Sequence, residues 1–147
     1  MTGDRDEHFM KAALEEAGKA YEKQEVPVGA VIVCNDTIIA RAHNLTETLN
    51  DPTAHAEMQA ITAAASWLGG KYLHGCTVYV TVEPCAMCAG AIGWSQAPVL
   101  VYGAADPKKG FTTVQGALLH PKTRIRAGIM EKECRDIMTG FFKSRRE

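Results

Sequence analysis

Phe9, Met10, Ala13, Leu14, Ala17 and Tyr21 recur at three- and four-residue intervals, the spacing of a buried helix face, over a segment ending near Gln24. Asp4 and Glu7, three apart ahead of that face, offer a capping box. The pattern then changes: Val28 to Val33 is an unbroken apolar run, followed by Asn35-Asp36 and by Ile38-Ile39-Ala40. This predicts a hairpin, closed by a turn other than the favoured Asn-Gly. Beyond a polar loop from His43 to Pro52, Thr53 is placed to cap a second helix over about 54–66, which contains His55 and Glu57 and is broken by Gly69-Gly70. Thr77 to Val82 is β-rich, Pro84 opens a third helix reaching about Trp94, and Val99 to Tyr102 is β-rich again. Arg124 to Ile129 reads as a last strand and Glu131 to Arg146 as a last helix.

A strand, a helix and a strand within so short a span require a parallel pair. Together the elements predict an α/β protein of three layers, α/β/α, around a central mixed sheet of about five strands. No repeat, low-complexity stretch or linker interrupts the 147 residues, so residues 1–147 are expected to form a single domain. The composition is that of a globular protein, with 46% hydrophobic and 22% charged residues. A formal net charge of −1 excludes a uniformly basic surface, so any nucleic-acid contact must come from local clusters. The N-terminal stretch is charged, and no apolar run approaches the ~20 residues of a membrane span. With an odd cysteine count, these features lead to the expectation of a reducing, cytoplasmic setting and no membrane partner.

Cys85 and Cys88, three apart after Pro84, project from one side of a first helical turn, where unpaired amides stabilise thiolates. On its own the pair fits a redox couple or two buried thiols equally well. His55 adds an imidazole at the start of another helix, two residues before Glu57. His55, Cys85 and Cys88 make a three-ligand zinc set with a fourth position open, the mark of a catalytic zinc. Such a site activates water at neutral pH. Glu57 neighbours a ligand without being one and suits the proton carrier. Cys34, Cys76 and Cys134 read as small buried hydrophobes, and no second thiol pair completes a structural four-ligand site.

His55-Ala56-Glu57 followed by Pro84-Cys85-Ala86-Met87-Cys88 resembles the signature of the zinc nucleobase deaminases, a well-known motif. The resemblance runs along nearly the whole chain and is closest to bacterial tRNA adenosine deaminases. It rests on Glu25 to Val31, Asn44, Asp51 to Glu57, Val82 to Ala91, Gly103-Ala104, Asp106, and Phe141-Phe142 with a basic end. It implies a cytidine deaminase-like fold, one zinc per subunit and conversion of an anticodon's wobble adenosine to inosine. It also implies a homodimer with active sites near the subunit interface, Asn44 bonded to the flipped base, and Val28 lining its pocket.

The residues themselves point to RNA through charge segregation. From Pro107 to Met130 the chain carries Lys108, Lys109, Lys122, Arg124 and Arg126 with no acid, and the tail adds Lys143, Arg145 and Arg146. Lys108, Lys109, Arg145 and Arg146 are the expected phosphate contacts of an anticodon stem-loop. Phe141 and Phe142 are expected at the substrate, although their i, i+4 pairing with Ile137 and Met138 assigns at least one to the core. The loop departs from the family pattern: Ala105 precedes Asp106, and Lys108 to Thr113 follows. Leu45 to Asn50 is similar to guanine deaminases, so free guanine is the alternative substrate. A zinc-binding module without activity is a further alternative, which an intact Glu57 disfavours.

Overall fold

In a computed structural model, which describes residues 2–146 and the side chains of 3–145, five strands form one sheet in the order β2-β1-β3-β4-β5. The elements run α1 (Thr2–Glu22), β1 (Gly29–Cys34), β2 (Thr37–His43), α2 (Ala56–Leu68), β3 (Cys76–Val82), α3 (Ala86–Ser95), β4 (Val99–Ala104), β5 (Arg124–Ala127) and α4 (Glu131–Arg146). The sheet is mixed: β1 pairs antiparallel with β2 and β3, whereas β3, β4 and β5 are parallel. The β3-α3-β4 unit is the parallel crossover predicted from the element spacing.

The three central strands, β1, β3 and β4, are apolar on both faces because both are covered. On one side Ala56, Ala60 and Ala64 of α2 and Ile92 of α3 pack against Ala30, Ile32, Val78, Val80 and Leu100. On the other, Phe9, Met10 and Ala13 of α1 and Cys134 of α4 meet Val31, Val33, Tyr79 and Val101. Small residues let α1 approach closely: a Cβ at Gly29 would collide with the backbone of Ala13 and Ala17. Cys76 and Cys134 are buried as expected, while Cys34 is half-buried against the first of these packing faces.

Several helix starts differ from the sequence expectation. Helix α1 begins at Thr2, which puts Asp4 and Glu7 inside it, so they form no capping box. Thr53 does not cap α2; its hydroxyl and amide bind Asp51 at 2.7 and 2.8 Å, and His55 is the N-cap residue. Pro84 likewise precedes α3, whose N-cap is Cys85. Both helices thus start about two residues later than expected; at α2 the Thr53–Asp51 bonds hold the preceding turn instead. The Asn35-Asp36 turn holds both residues at left-handed φ of 51° and 61°, the geometry of a type I′ hairpin. Gly69 ends α2 in the left-handed conformation, its amide reaching Ala65 and Ser66 carbonyls.

Candidate active site

The N-termini of α2 and α3 meet at the ends of β1 and β3, and each presents its N-cap side chain to the same point. His55 and Cys85 have extended backbones and make no side-chain capping bond, so imidazole and thiol are free for other duty. Cys88 follows one turn into α3 and is fully buried. His55 Nδ1 lies 3.7 Å from Cys85 Sγ and 3.4 Å from Cys88 Sγ, and all three donor atoms lie within 4.8 Å of one another. A tetrahedral zinc with ordinary Zn–S and Zn–N bonds places S and N about 3.6 Å apart, so the spacing fits.

The protein's own electrostatics agree. The Cys85 thiol is held down to about 3, first by the hydrogen bond from Cys88 and next by that from His55. Cys88 is pushed up, chiefly as that donor and then by burial, so the two thiols share one proton. The His55 pKa is raised, foremost by its bond with Cys85. A divalent cation relieves this arrangement because both sulfurs then ligate as thiolates.

Glu57 sits in the first turn of α2, 3% exposed, and burial pushes its carboxyl up to about 7. A carboxyl poised there exchanges protons in both directions near neutral pH. Above it opens a cavity of about 870 Å³, lined at its base by His55, Glu57 and Cys85 and on its sides by Val28, Asn44, Asp106, Lys108, Lys109, Phe142 and Arg145. That volume suits a nucleoside rather than a lone small ion. Asn44 is 7% exposed and tied only loosely, its Nδ2 donating to Val26 O and its Oδ1 accepting from Thr46 N, both at 3.3 Å. One Nδ2 proton and one Oδ1 lone pair are left for a ligand.

The structure thus brings most of the expected residues to one cavity and separates the phenylalanines. Phe141 is 4% exposed and packs edge-on against Tyr21 at 5.6 Å, so it belongs to the core and does not line the cavity. Phe142 turns the other way into the cavity wall, 42% exposed. Lys122 and Arg124 are not among the lining residues, and Arg126 is committed to a two-bond pair with buried Asp6. The side chain of Arg146 lies outside the described residues. Sequence reasoning missed Arg135, Met138 and Thr139, which share the cavity-facing side of α4 with Phe142. Their i, i+3, i+4, i+7 spacing was the available signal. It also gave no role to buried Glu25 and Glu83, although both fall within the stretches that carry the family resemblance.

The fold and this site define a zinc-dependent hydrolytic deaminase. The cytidine and deoxycytidylate deaminase zinc-binding region matches residues 4–104. A tRNA-specific adenosine deaminase of Bacillus subtilis (strain 168) is 46% identical over 97% of this chain and 92% of its own. A solved structure from studies of A-to-I editing by tRNA:A34 deaminases superposes with a TM-score of 0.83 at 44% identity, covering 88% of this chain and 98% of that one. A guanine deaminase structure from Bacillus subtilis is 42% identical with a TM-score of 0.65, over 67% of this chain and 64% of that one. The chain belongs to the cytidine and deoxycytidylate deaminase family and, within it, to the tRNA-specific adenosine deaminases. Its cofactor is zinc.

Proposed function

We propose that this protein hydrolyses the 6-amino group of the wobble adenosine in a tRNA anticodon, giving inosine and ammonia. The observation that carries it is a cavity of nucleoside size with His55, Cys85 and Glu57 at its base and Lys108, Lys109, Arg145 and Phe142 at its mouth. A deep base pocket under a cationic and aromatic rim suits one extruded base whose neighbours remain on a strand.

In this reading His55, Cys85 and Cys88 hold the metal. Bound zinc supplies Lewis acidity, lowering the pKa of water toward 7. Glu57 takes one proton from the attacking water and passes it to the purine ring nitrogen, then takes the second from the new 6-hydroxyl and gives it to the amine as it leaves. Its elevated pKa suits a group that both accepts and gives protons. Asn44 bonds the edge of the base and Val28 packs against its face. Lys108, Lys109 and Arg145 hold flanking phosphates, Phe142 stacks on a neighbouring base, and Arg146 extends the basic end of α4.

The whole of residues 1–147 is read as one catalytic domain that acts in the cytoplasm as a homodimer. Trp94 of α3 is 85% exposed with Met87 of the same helix also exposed, an apolar surface that supports a second copy there. No described helix is long and apolar enough to cross a membrane. Free guanine is the second reading, favoured by the Leu45 to Asn50 segment and by the 42% identical guanine deaminase. Ammonia release and inosine formation decide between them, with an anticodon stem-loop offered beside adenosine, guanine and cytosine. Inosine in the stem-loop is the expected product; rapid guanine turnover with none in RNA overturns the tRNA reading and leaves the zinc chemistry standing.

A further inference from the structure

Two buried carboxylates outside the metal site make the same unusual set of bonds. Glu83, 4% exposed between β3 and Pro84, accepts from Asp106 N at 3.0 Å on Oε1, and from Thr112 N at 3.0 Å and Thr112 Oγ1 at 2.8 Å on Oε2. Glu25, fully buried between α1 and β1, accepts from Glu47 N at 3.1 Å on Oε1, and from Thr48 N and Thr48 Oγ1, both at 2.6 Å, on Oε2. Each therefore closes a loop with two backbone amides and one threonine hydroxyl. Among the described residues neither meets a cation within ion-pair distance. Burying an ionised carboxylate without a counter-ion is costly, and here only loop amides and hydroxyls offset it.

Both loops line the cavity. One carries Asn44 and Thr46, the other Asp106, Lys108 and Lys109. The second is also bonded to the metal-holding turn: Phe111 N donates to Pro84 O at 2.9 Å, and Gly110 bridges to Cys85. Gly110 packs so tightly on Glu83 that any Cβ there would strike the carboxylate. Asp106 in turn accepts from the amides of Lys108 and Lys109 at 3.1 and 3.0 Å, which sets the turn that carries both cations.

We infer that Glu25 and Glu83 are positioning residues, two latches that hold the base-recognition loop and the cationic loop in binding geometry before substrate arrives. This rests on the RNA reading above and deepens it. Loops ordered in advance lower the cost of binding, so the latches act on KM more than on kcat. They also separate by charge, because the loop from Asn44 to Asp51 carries no lysine or arginine.

The test is stem-loop kinetics of the zinc-loaded protein at several salt concentrations, with Glu83→Gln, Glu25→Gln, and the gentler Thr112→Val and Thr48→Val. A glutamine turns one accepting oxygen into a donor that faces an amide N–H. Both Gln variants should raise KM about tenfold, the scale of losing a charge-assisted bond, while kcat and zinc content hold. Glu83→Gln and Thr112→Val should also flatten the salt dependence, by up to about 1.4 in slope for two lost single-strand contacts. Glu25→Gln and Thr48→Val should leave that slope alone. Unchanged KM in all four, equal slopes in both pairs, or a loss of zinc and kcat with KM intact would each overturn the proposal. If a Gln variant does not fold, its Val counterpart carries the same outcomes. Should the wild type edit no stem-loop, the RNA reading fails separately, and amide hydrogen exchange decides the latches. Exchange should then quicken at Asp106 and Thr112 only in Glu83→Gln, and at Glu47 and Thr48 only in Glu25→Gln; exchange unchanged in both variants overturns them.

Discussion

The base of the cavity is held by two helix N-termini, whereas its rim is held by loops tied to buried carboxylates. At the base, His55, Cys85 and Cys88 sit at or one turn past an N-cap, so short-range helix geometry sets their directions. At the rim, Asp106 and Thr112 reach Glu83 across 23 and 29 residues of chain. Chemistry needs fixed distances and is built on rigid starts of helices; recognition needs shape and is built on loops whose order depends on distant partners. Changes at the base should therefore abolish turnover, and changes at the rim should grade it.

Cys88→Ala should show the largest effect, losing zinc and activity together; full zinc occupancy by elemental analysis would remove Cys88 from the ligand set. Glu57→Ala should keep zinc and fold yet lose at least the ~10²–10⁴-fold typical of proton transfer. Near-normal turnover in single-turnover assays would assign the protons to another residue.

Glu57 also makes a stability prediction for metal-free protein. Its folded pKa of about 7 lies above the ordinary 4.5, so the fold favours the neutral carboxyl. Between those values the folded state keeps a proton that the unfolded chain has released, so stability falls as pH rises from 4.5 through 7. The full shift corresponds to about 3 kcal/mol. Glu57→Gln should melt with the wild type near pH 4 and above it at pH 8; parallel melting curves at both pH values would show that Glu57 is not strained by burial.

At the rim, Asn44→Ala should leave one edge of the bound base unpaired, costing roughly 1–3 kcal/mol, about 5- to 150-fold in kcat/KM, with the salt slope unchanged. Quickened amide exchange at Glu47 and Thr48 in this variant would move Asn44 from base reading to loop structure. The smallest effects belong to single cations. Lys108→Ala, Lys109→Ala or Arg145→Ala should each weaken stem-loop binding without changing base choice and reduce the salt slope by about 0.7. A salt slope untouched by all three would place the RNA elsewhere.

The elements read from hydrophobic periodicity match the fold because each depends on neighbours in sequence: α4 spans Glu131–Arg146 as expected, and the β3-α3-β4 unit is parallel. Helix starts were less legible, since Thr53 found Asp51 and the helix began two residues later. Phe141 and Phe142 show the limit most clearly. Adjacent and chemically identical, they point about 100° apart around α4, and only the packing of Tyr21 against that helix says which one is core.

By itself, then, the amino-acid order pointed to the metal set and the proposed proton carrier, because a histidine, two cysteines and a glutamate at helix starts carry their chemistry in residue type and short spacing. It determined the mixed sheet for the same reason, through periodicity. Only the tertiary structure decided that Glu25 and Glu83 hold the rim, that Phe142 and not Phe141 faces the cavity, and that Arg126 is spent on Asp6. Those outcomes depend on which surfaces meet across long stretches of chain. Which amides a buried carboxylate will bond leaves no pattern in sequence, since every residue but proline offers the same N–H.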